Sequence, residues 1–314
     1  MITTATAGVS GAREARPLTD KDFEAVVALD RQIEGRSRRA YFERRLAAAK
    51  SQPKRHLQLA VGSADGLVGF ALARRAGGEF GRAEESVVLD AIGVDPARRH
   101  TGVGRQLMGG LVELARARDI RRVLTQAEWS NHGMLRFLDG AGFSLAPTHI
   151  VSRPVHRMPL PDTDEEIEKV PPMVRLLRPG DLDAIVRIDS EITGDNRKDY
   201  LARKVDEALN ESAIAVSLVV EDDGFVVGYA MSRVDHGNFG LIEPVAALDT
   251  IGVKPSFTKR GFARAMLTQM IDNLSAIDVR RLETEVAHDN FALLQFLYRF
   301  GFGPSQRLSF HRAL

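Results

Sequence analysis

The 314-residue chain contains no cysteine. That excludes disulfides, thiolate nucleophiles and Cys-ligated metals, and it fits a reducing, cytoplasmic setting. The eight histidines are scattered without ligand spacing, so no metal is expected. No apolar run reaches the length of a membrane span. The first residues are small and polar with no signal-like apolar core, and 1–14 read as a flexible leader. Charge of one sign is also lacking: the net is +1, which gives no global argument for nucleic acid or membrane as partner. The signs are nevertheless segregated, with 25 basic against 17 acidic residues in 1–160 and 18 against 25 beyond. Either the basic half takes a polyanionic ligand, or the two halves attract each other.

What the chain does have is a repeat. A constant shift of 159 positions carries Asp22, Asp30, Gly35, Arg38, Tyr41 and Arg44 onto Asp181, Asp189, Gly194, Arg197, Tyr200 and Arg203. The same shift carries Asp90, Ile92, Gly93, Val94, Pro96 and Gly102 onto Asp249, Ile251, Gly252, Val253, Pro255 and Gly261. Thr125, Asn131, Phe137, Gly142 and Phe143 follow in the same register onto Thr284, Asn290, Phe296, Gly301 and Phe302. A period this long is a whole domain, not a solenoid unit. Two domains are expected, 1–160 and 174–314, joined by an acidic, Pro-flanked linker at 161–173. The duplication builds an intramolecular pseudo-dimer.

Within the first copy, Thr19 caps a helix over Asp20–Gln32, and Arg38–Lys50 forms a second helix. His56–Gly62, Gly66–Arg74 and Ser86–Val94 are strands. Val103, Leu107, Leu111 and Leu114 recur at helical spacing over Gly102–Arg118. A strand at Arg122–Ala127, a short helix at Asn131–Asp139 and two further strands complete the unit. The fold class is therefore α+β, with a mixed, mostly antiparallel sheet flanked by helices and a β-α-β crossover in the middle.

The crossover carries the chemistry. The strand through Leu89-Asp90-Ala91-Ile92-Gly93-Val94 ends at a Pro turn, and a basic, Gly-rich loop, Arg98-Arg99-His100-Thr101-Gly102-Val103-Gly104, opens the long helix. Glycines allow close backbone approach, and free N–H groups at a helix start attract a pyrophosphate. Arg98 and Arg99 add charge-assisted contacts to phosphate. A Rossmann dinucleotide site is excluded, because Leu107 stands where its third glycine is required and several residues separate strand from glycines.

This order of strand, Val-x-Pro, Arg-x-x-Gly-x-Gly, helix, strand, Asn, short helix and Gly-Phe resembles the GNAT superfamily of acyl-CoA-dependent N-acyltransferases, once per half and over nearly the whole chain. The resemblance implies an enzyme that moves an acyl group, acetyl first, from acyl-CoA to an amine on a small molecule or a protein lysine. The loop would hold CoA through Arg98, Arg99, His100, Thr101, Gly102, Val103 and Gly104, with Lys259, Arg260, Gly261 and Ala263 as counterparts. Thr258 replaces the usual Gln/Arg, which favours the first copy as the CoA site. Backbone at Ile92, Gly93 and Val94, and at Ile251 and Val253, would take pantetheine and the acyl carbonyl, with Asn131 and Asn290 near the pantetheine arm. Helix N-capping is the competing role for both asparagines. Asp90 and Asp249 stand where the family often carries its base; the competing reading is a pair with an Arg. The usual acid is a Tyr, where this chain has Leu138 and Leu297, with Tyr298 one place later. An acyl-CoA-binding regulatory module without turnover is the alternative.

Three further features carry two readings each. Trp129 is a packing residue or a ligand platform. Glu283 and Glu285 share one face of their strand, either solvated or recognising an amine. Arg38, Tyr41 and Arg44 bind a carboxylate of the acceptor or phosphates of CoA, or pair with Asp30, a pairing that the second copy would repeat with Asp189.

Overall fold

The computed structural model describes residues 14–64, 66–77, 85–155, 172–212, 214–235, 237–240 and 243–314. The expected leader and linker lie outside these, apart from 14 and 172–173. The first repeat forms β1 (Arg16–Pro17), α1 (Phe23–Glu34), α2 (Arg39–Ser51), β2 (His56–Ser63), β3 (Gly66–Ala76), β4 (Ser86–Val94), α3 (Val103–Arg116), β5 (Arg122–Glu128), α4 (His132–Gly140), β6 (Ser144–Leu145) and β7 (Thr148–Pro154). The second forms β8 (Met173–Leu176), α5 (Leu182–Thr193), α6 (Lys198–Asp206), β9 (Leu218–Asp222), β10 (Phe225–Asp235), β11 (Val245–Val253), α7 (Phe262–Ala276), β12 (Arg281–Ala287), α8 (Phe291–Arg299), β13 (Gly303–Pro304) and β14 (Arg307–Ala313). A π-helical turn, Glu207–Glu211, extends α6.

The elements form for the reasons the pattern gives. Along α3, Val103, Leu107, Met108, Leu111, Val112 and Ala115 are buried as one stripe, the helical period made solid. Thr19 enters α1 differently from expectation. Its N–H and hydroxyl both donate to the Asp22 carboxylate, at 2.8 Å each, so the aspartate reaches back to the threonine. Arg16 closes the same carboxylate, and Arg175 does so for Asp181 in the second repeat.

Both sheets are seven-stranded, in the orders β1-β2-β3-β4-β5-β14-β6 and β13-β7-β12-β11-β10-β9-β8. Each sheet therefore borrows one strand from the other repeat. β7 pairs antiparallel with β12 from Arg281↔Pro154 to Ala287↔Thr148, and β14 pairs with β6. Val151 and Val155 of the first repeat are buried in the core built by Phe262, Met266 and Met270 of the second. Fully burying a valine contributes about 2 kcal/mol, so the exchanged strand is part of the hydrophobic core. Arg153 of β7 donates to the carbonyl of Phe300 at the end of α8, and its positional equivalent, Arg312 of β14, lies against Gly142 just past α4. A cation at a helix C-terminus meets the negative end of its dipole.

The chain divides into two compact units, 1–74 with 87–123 and 314, and 75–86 with 124–313. The repeat boundary is thus not the boundary of a compact unit. In the first unit the apolar faces of α1 and α2 close on Phe70, Leu72 and Ala91. In the second, Ile185, Ile188 and Leu201 close on Val219, Tyr229 and Met231.

Candidate active site

In the first repeat, β4 ends at Val94 and a single 3-10 turn, Pro96–Arg98, follows, capped by the Asp95 carboxylate accepting from the Ala97 N–H at 2.9 Å. The chain then turns through two left-handed residues, His100 at φ +63° and Gly102 at φ +94°. The first helical bond of α3 runs from the Gln106 N–H to the Gly102 carbonyl, so the N–H groups of Val103, Gly104 and Arg105 precede the ladder. A Cβ built on Gly102 meets nothing within 4 Å, so open space faces this turn. Arg99, His100 and Thr101 are exposed around it. The geometry is an anion cradle of the kind a pyrophosphate needs.

The second repeat has the same backbone. Lys259 is at φ +63° and Gly261 at φ +82°, and the Ala265 N–H opens the ladder on the Gly261 carbonyl. Its side chains differ. The Arg260 guanidinium lies 5.0 Å from the Phe257 ring centroid and 5.2 Å from that of Phe262, and reaches Asp222 at 3.7 Å. That cation is drawn onto the protein.

In the second repeat the strands next to the cradle open a slot. β11 pairs in parallel with β12 only from Val245↔Arg281 to Ala247↔Glu283, although β11 continues to Val253 and β12 to Ala287. The backbone of Ile251 and Val253 on that side lies beyond the ladder. Gly93 and Gly252 keep the opposite face closed, since a Cβ on Gly93 would come within 2.5 Å of Phe70 and one on Gly252 within 2.9 Å of Tyr229.

Asp90 is 2% exposed and sits in an ion cluster. Its Oδ2 receives Arg45 of α2 at 2.7 Å and Arg74 of β3 at 3.2 Å, while Oδ1 is buried without a hydrogen-bond partner. Arg45 also stacks over the Tyr41 ring. Burial pushes the Tyr41 hydroxyl up to about 12 and Asp90 adds to that, with Arg45 opposing. Asp249 is the extra residue of a β-bulge: Met231 pairs with Thr250 and Ser232 with Leu248. Arg233 donates to both of its oxygens, and Lys204 lies 3.5 Å away and bonds Glu207 at 3.0 Å. The pairing of each aspartate with an Arg is thus observed in both copies. Arg45, Arg74, Lys204, Arg233 and Glu207 were not singled out from the sequence. The signal was there in the 159-residue register, which aligns Arg74 with Arg233 and Arg45 with Lys204.

The remaining candidates fall as follows. Asn131 and Asn290 cap α4 and α8, accepting from the Met134 N–H at 3.0 Å and the Leu293 N–H at 3.2 Å. Arg38 and Arg197 pair with Asp30 and Asp189, so this motif holds α1 to α2 and α5 to α6. Glu283 and Glu285 are not on a solvated face. Arg307 and Ser305 donate to Glu283, and Gln126, Thr148 and Ser309 donate to Glu285. The reason is the exchanged strands, which bring polar side chains of both repeats onto that face. Gln126 and Glu285 are themselves 159 positions apart, so equivalent positions of the two repeats touch each other here. Trp129 is exposed, with its indole N–H bonded to Gln306. Leu138 and Leu297 are buried, whereas Tyr298 is exposed on α8 beside Phe291, Leu294 and Gln295. Among the described residues no group of three or more His, Asp or Glu is placed to hold a metal, and no helix is long and apolar enough to cross a membrane.

With fold and loop in view, the family assignment follows. The acetyltransferase (GNAT) family model matches residues 22–143 and again 182–302, and the chain belongs to that family. Among solved structures it is similar to a GCN5-related N-acetyltransferase from Sphaerobacter thermophilus (19% identity, 95% of each chain, TM-score 0.61). It is also similar to a tandem GNAT protein from the clavulanic acid biosynthesis pathway (17% identity, 96% of this chain and 98% of that one, TM-score 0.65). The N-myristoyltransferase of Saccharomyces cerevisiae, solved with myristoyl-CoA, is a further fold neighbour (14% identity, 95% and 78% covered, TM-score 0.58). Comparison with curated protein sequences finds no match.

Proposed function

We propose that this chain is an acyl-CoA-dependent N-acyltransferase whose first repeat is the main catalytic copy, moving an acetyl group from CoA to a primary amine of a small molecule or a protein lysine. The observation that carries this reading is the open, cation-rimmed turn at Gly102 above the free N–H groups of α3. Arg98, Arg99, His100, Thr101, Val103 and Gly104 complete that cradle for the CoA pyrophosphate. Ile92, Gly93 and Val94 offer backbone to pantetheine and the acyl carbonyl, whose oxygen gains negative charge as the amine adds. Asn131 borders the pantetheine arm while capping α4. The amine nitrogen bonds to the carbonyl carbon, the carbon–sulfur bond breaks, and CoA leaves as thiolate. The ammonium proton is lost toward the Asp90 carboxylate through water, the role its unpartnered Oδ1 supports. A thiolate leaves without the tyrosine acid that Leu138 replaces. In the second repeat Ile251, Val253, Lys259, Arg260, Gly261, Ala263 and Asn290 form the corresponding, weaker site, with Asp249 as counterpart of Asp90.

A second reading, an acyl-CoA-binding regulatory module without turnover, is favoured by the ion pairing of Asp90 and Asp249 and by the buried leucines at the acid position. Titrating acetyl-CoA into the protein and following thiol release with a panel of amines separates the two. The enzyme reading expects binding and turnover, with Asp90→Asn lowering turnover about 100-fold and leaving acetyl-CoA affinity in place. Binding without release of CoA to any amine supports the module. Absence of binding overturns both.

A further inference from the structure

We propose that Glu34, the last residue of α1, recognises the acceptor's amine, binding it as an ammonium before its proton is lost. The inference rests on the acyltransfer reading and adds a specificity-determining residue to it. Glu34 stands where local electrostatics disfavour an anion. It ends a helix, at the negative end of the dipole. It follows Asp30 by one turn, a spacing at which like charges repel. It is half-buried, and among the described residues no hydrogen bond or ion pair reaches it. Arg38, Asp30 and Arg99 are the charged groups that act on it. Burial, joined by Asp30, pushes its carboxyl above the usual range against the two arginines. An anion held in this way lowers the stability of the fold.

Its surroundings are those of the proposed reaction. The Cδ1 of Ile33, the residue before it, stands 3.0 Å from a Cβ built on Gly93. The end of α1 therefore lies over the strand backbone assigned above to the acyl carbonyl. Arg99, whose charge acts on Glu34, belongs to the cradle assigned to the pyrophosphate. CoA is an anion and is repelled by a carboxylate. The acceptor ammonium is the cationic reactant, and it supplies the partner that Glu34 lacks. The second repeat has neither charge at these positions: Thr193 replaces Glu34 and Thr258 replaces Arg99. Each threonine donates its hydroxyl to a nearby carbonyl, of Asp189 and of Pro255, at 2.9 Å. The carboxylate is thus present in the copy that has the cradle arginine and absent from the other. The acceptor that fits Glu34 is an alkylamine, charged at neutral pH, and not an arylamine.

The test compares the full-length natural protein with Glu34→Gln, which keeps the shape and removes the charge. n-Butylamine and its uncharged analogue n-butanol are titrated calorimetrically in the presence of CoA, which carries no acyl group to transfer. The natural protein is expected to bind butylamine at least about tenfold tighter than butanol. Glu34→Gln is expected to lose that preference, and Glu34→Asp to keep part of it. Glu34→Gln is also expected to leave acetyl-CoA affinity undiminished and to raise the midpoint of denaturant unfolding, as removal of a destabilising functional group does. A lowered midpoint makes Glu34 a structural residue, and a fall in acetyl-CoA affinity makes it a support for Arg99. An amine preference that survives in Glu34→Gln places recognition elsewhere. Each of these three results overturns the proposal. Acetyl-CoA bound and turned over without an amine preference sinks the role of Glu34 alone. An amine preference that depends on Glu34, with no release of CoA from acetyl-CoA to any amine, sinks the acyltransfer reading alone.

Discussion

The two repeats agree in backbone and differ in charge. His100 and Lys259 share a left-handed φ of +63°, and Gly102 and Gly261 open both helices from the same region. Around this shared frame each loop carries one exposed cation, Arg99 in the first repeat and Lys259 in the second, and in the first repeat Arg45 and Arg74 share the Asp90 carboxylate. The second stacks Arg260 against two phenylalanines, and its cluster holds a second carboxylate, Glu207, shared by Lys204 and Arg203. Backbone geometry has to be kept by any copy that folds, because the helix start and the bulge depend on it. Charge has to be kept only where a ligand needs it. The copies thus differ in side chains on a shared backbone, at Arg260 and at Glu207 above all.

That comparison breaks most readily at the glycines. Gly102→Glu places a side chain at φ +94° and a negative charge in the cradle, and we expect acetyl-CoA affinity to fall at least about 100-fold. Gly261→Glu is expected to change it less than about threefold; equal losses in a titration would make the copies equivalent. Next come the aspartates. Asp90→Asn removes the buried carboxylate that Arg45 and Arg74 share and should cost about 3–5 kcal/mol in denaturant unfolding. Asp249→Asn leaves Glu207 in place and should cost less than half of that. Identical shifts would mean that Glu207 does not compensate its cluster.

Smaller effects sharpen the comparison. Asn131→Ala and Asn290→Ala each remove a helix cap and should each cost about 1 kcal/mol. A fall in acetyl-CoA affinity only for Asn131→Ala would give that residue a ligand contact besides the cap. The smallest effect is a pH dependence. Hydrogen bonds from Arg16 hold Asp22 well below the usual carboxylate range; burial pushes Asp181 up, but Arg175 and the Arg178 N–H together outweigh it and the net is downward. A carboxylate with a lowered folded pKa contributes stability above its unfolded value, near 4, and loses it as pH falls through the folded value. Arg16→Ala should therefore lower the melting temperature at pH 6, by about 1 kcal/mol or less in stability, and differ less from the natural protein at pH 2. Arg175→Ala should do more, because Arg175 also holds Glu221 at 2.7 Å. A gap that widens at low pH would rule out the pairing.

Much of this was legible in the sequence because it is local. The limits of β4, the stripe of α3 and both asparagine caps follow from spacing within one element. What was not legible depends on partners far apart in the chain. The exchange of β7 and β14 leaves no mark on hydrophobic alternation, since a strand reads the same in either sheet. For the same reason Glu283 and Glu285 resembled a solvated face: the residues that bury them, Ser305, Arg307 and Thr148 among them, arrive with the exchanged strands. The partners of Asp90 come from α2 and β3, and only the repeat register hints at them.

The exchanged strands also set an order of events during synthesis. β5 is made early, yet the strand that lies between it and β6 is the last of the second repeat. At roughly 5–20 residues per second, a ribosome needs roughly 10–40 s to travel from Glu128 to Arg307. For that interval the first sheet ends at an open β5 edge where β14 belongs, and such an edge invites pairing with whatever strand is nearest. On a polysome the nearest strand can be β7 of the same chain, or a strand of a neighbouring nascent copy. The chain that ends as a single molecule thus passes through a stage at which it resembles an unassembled dimer.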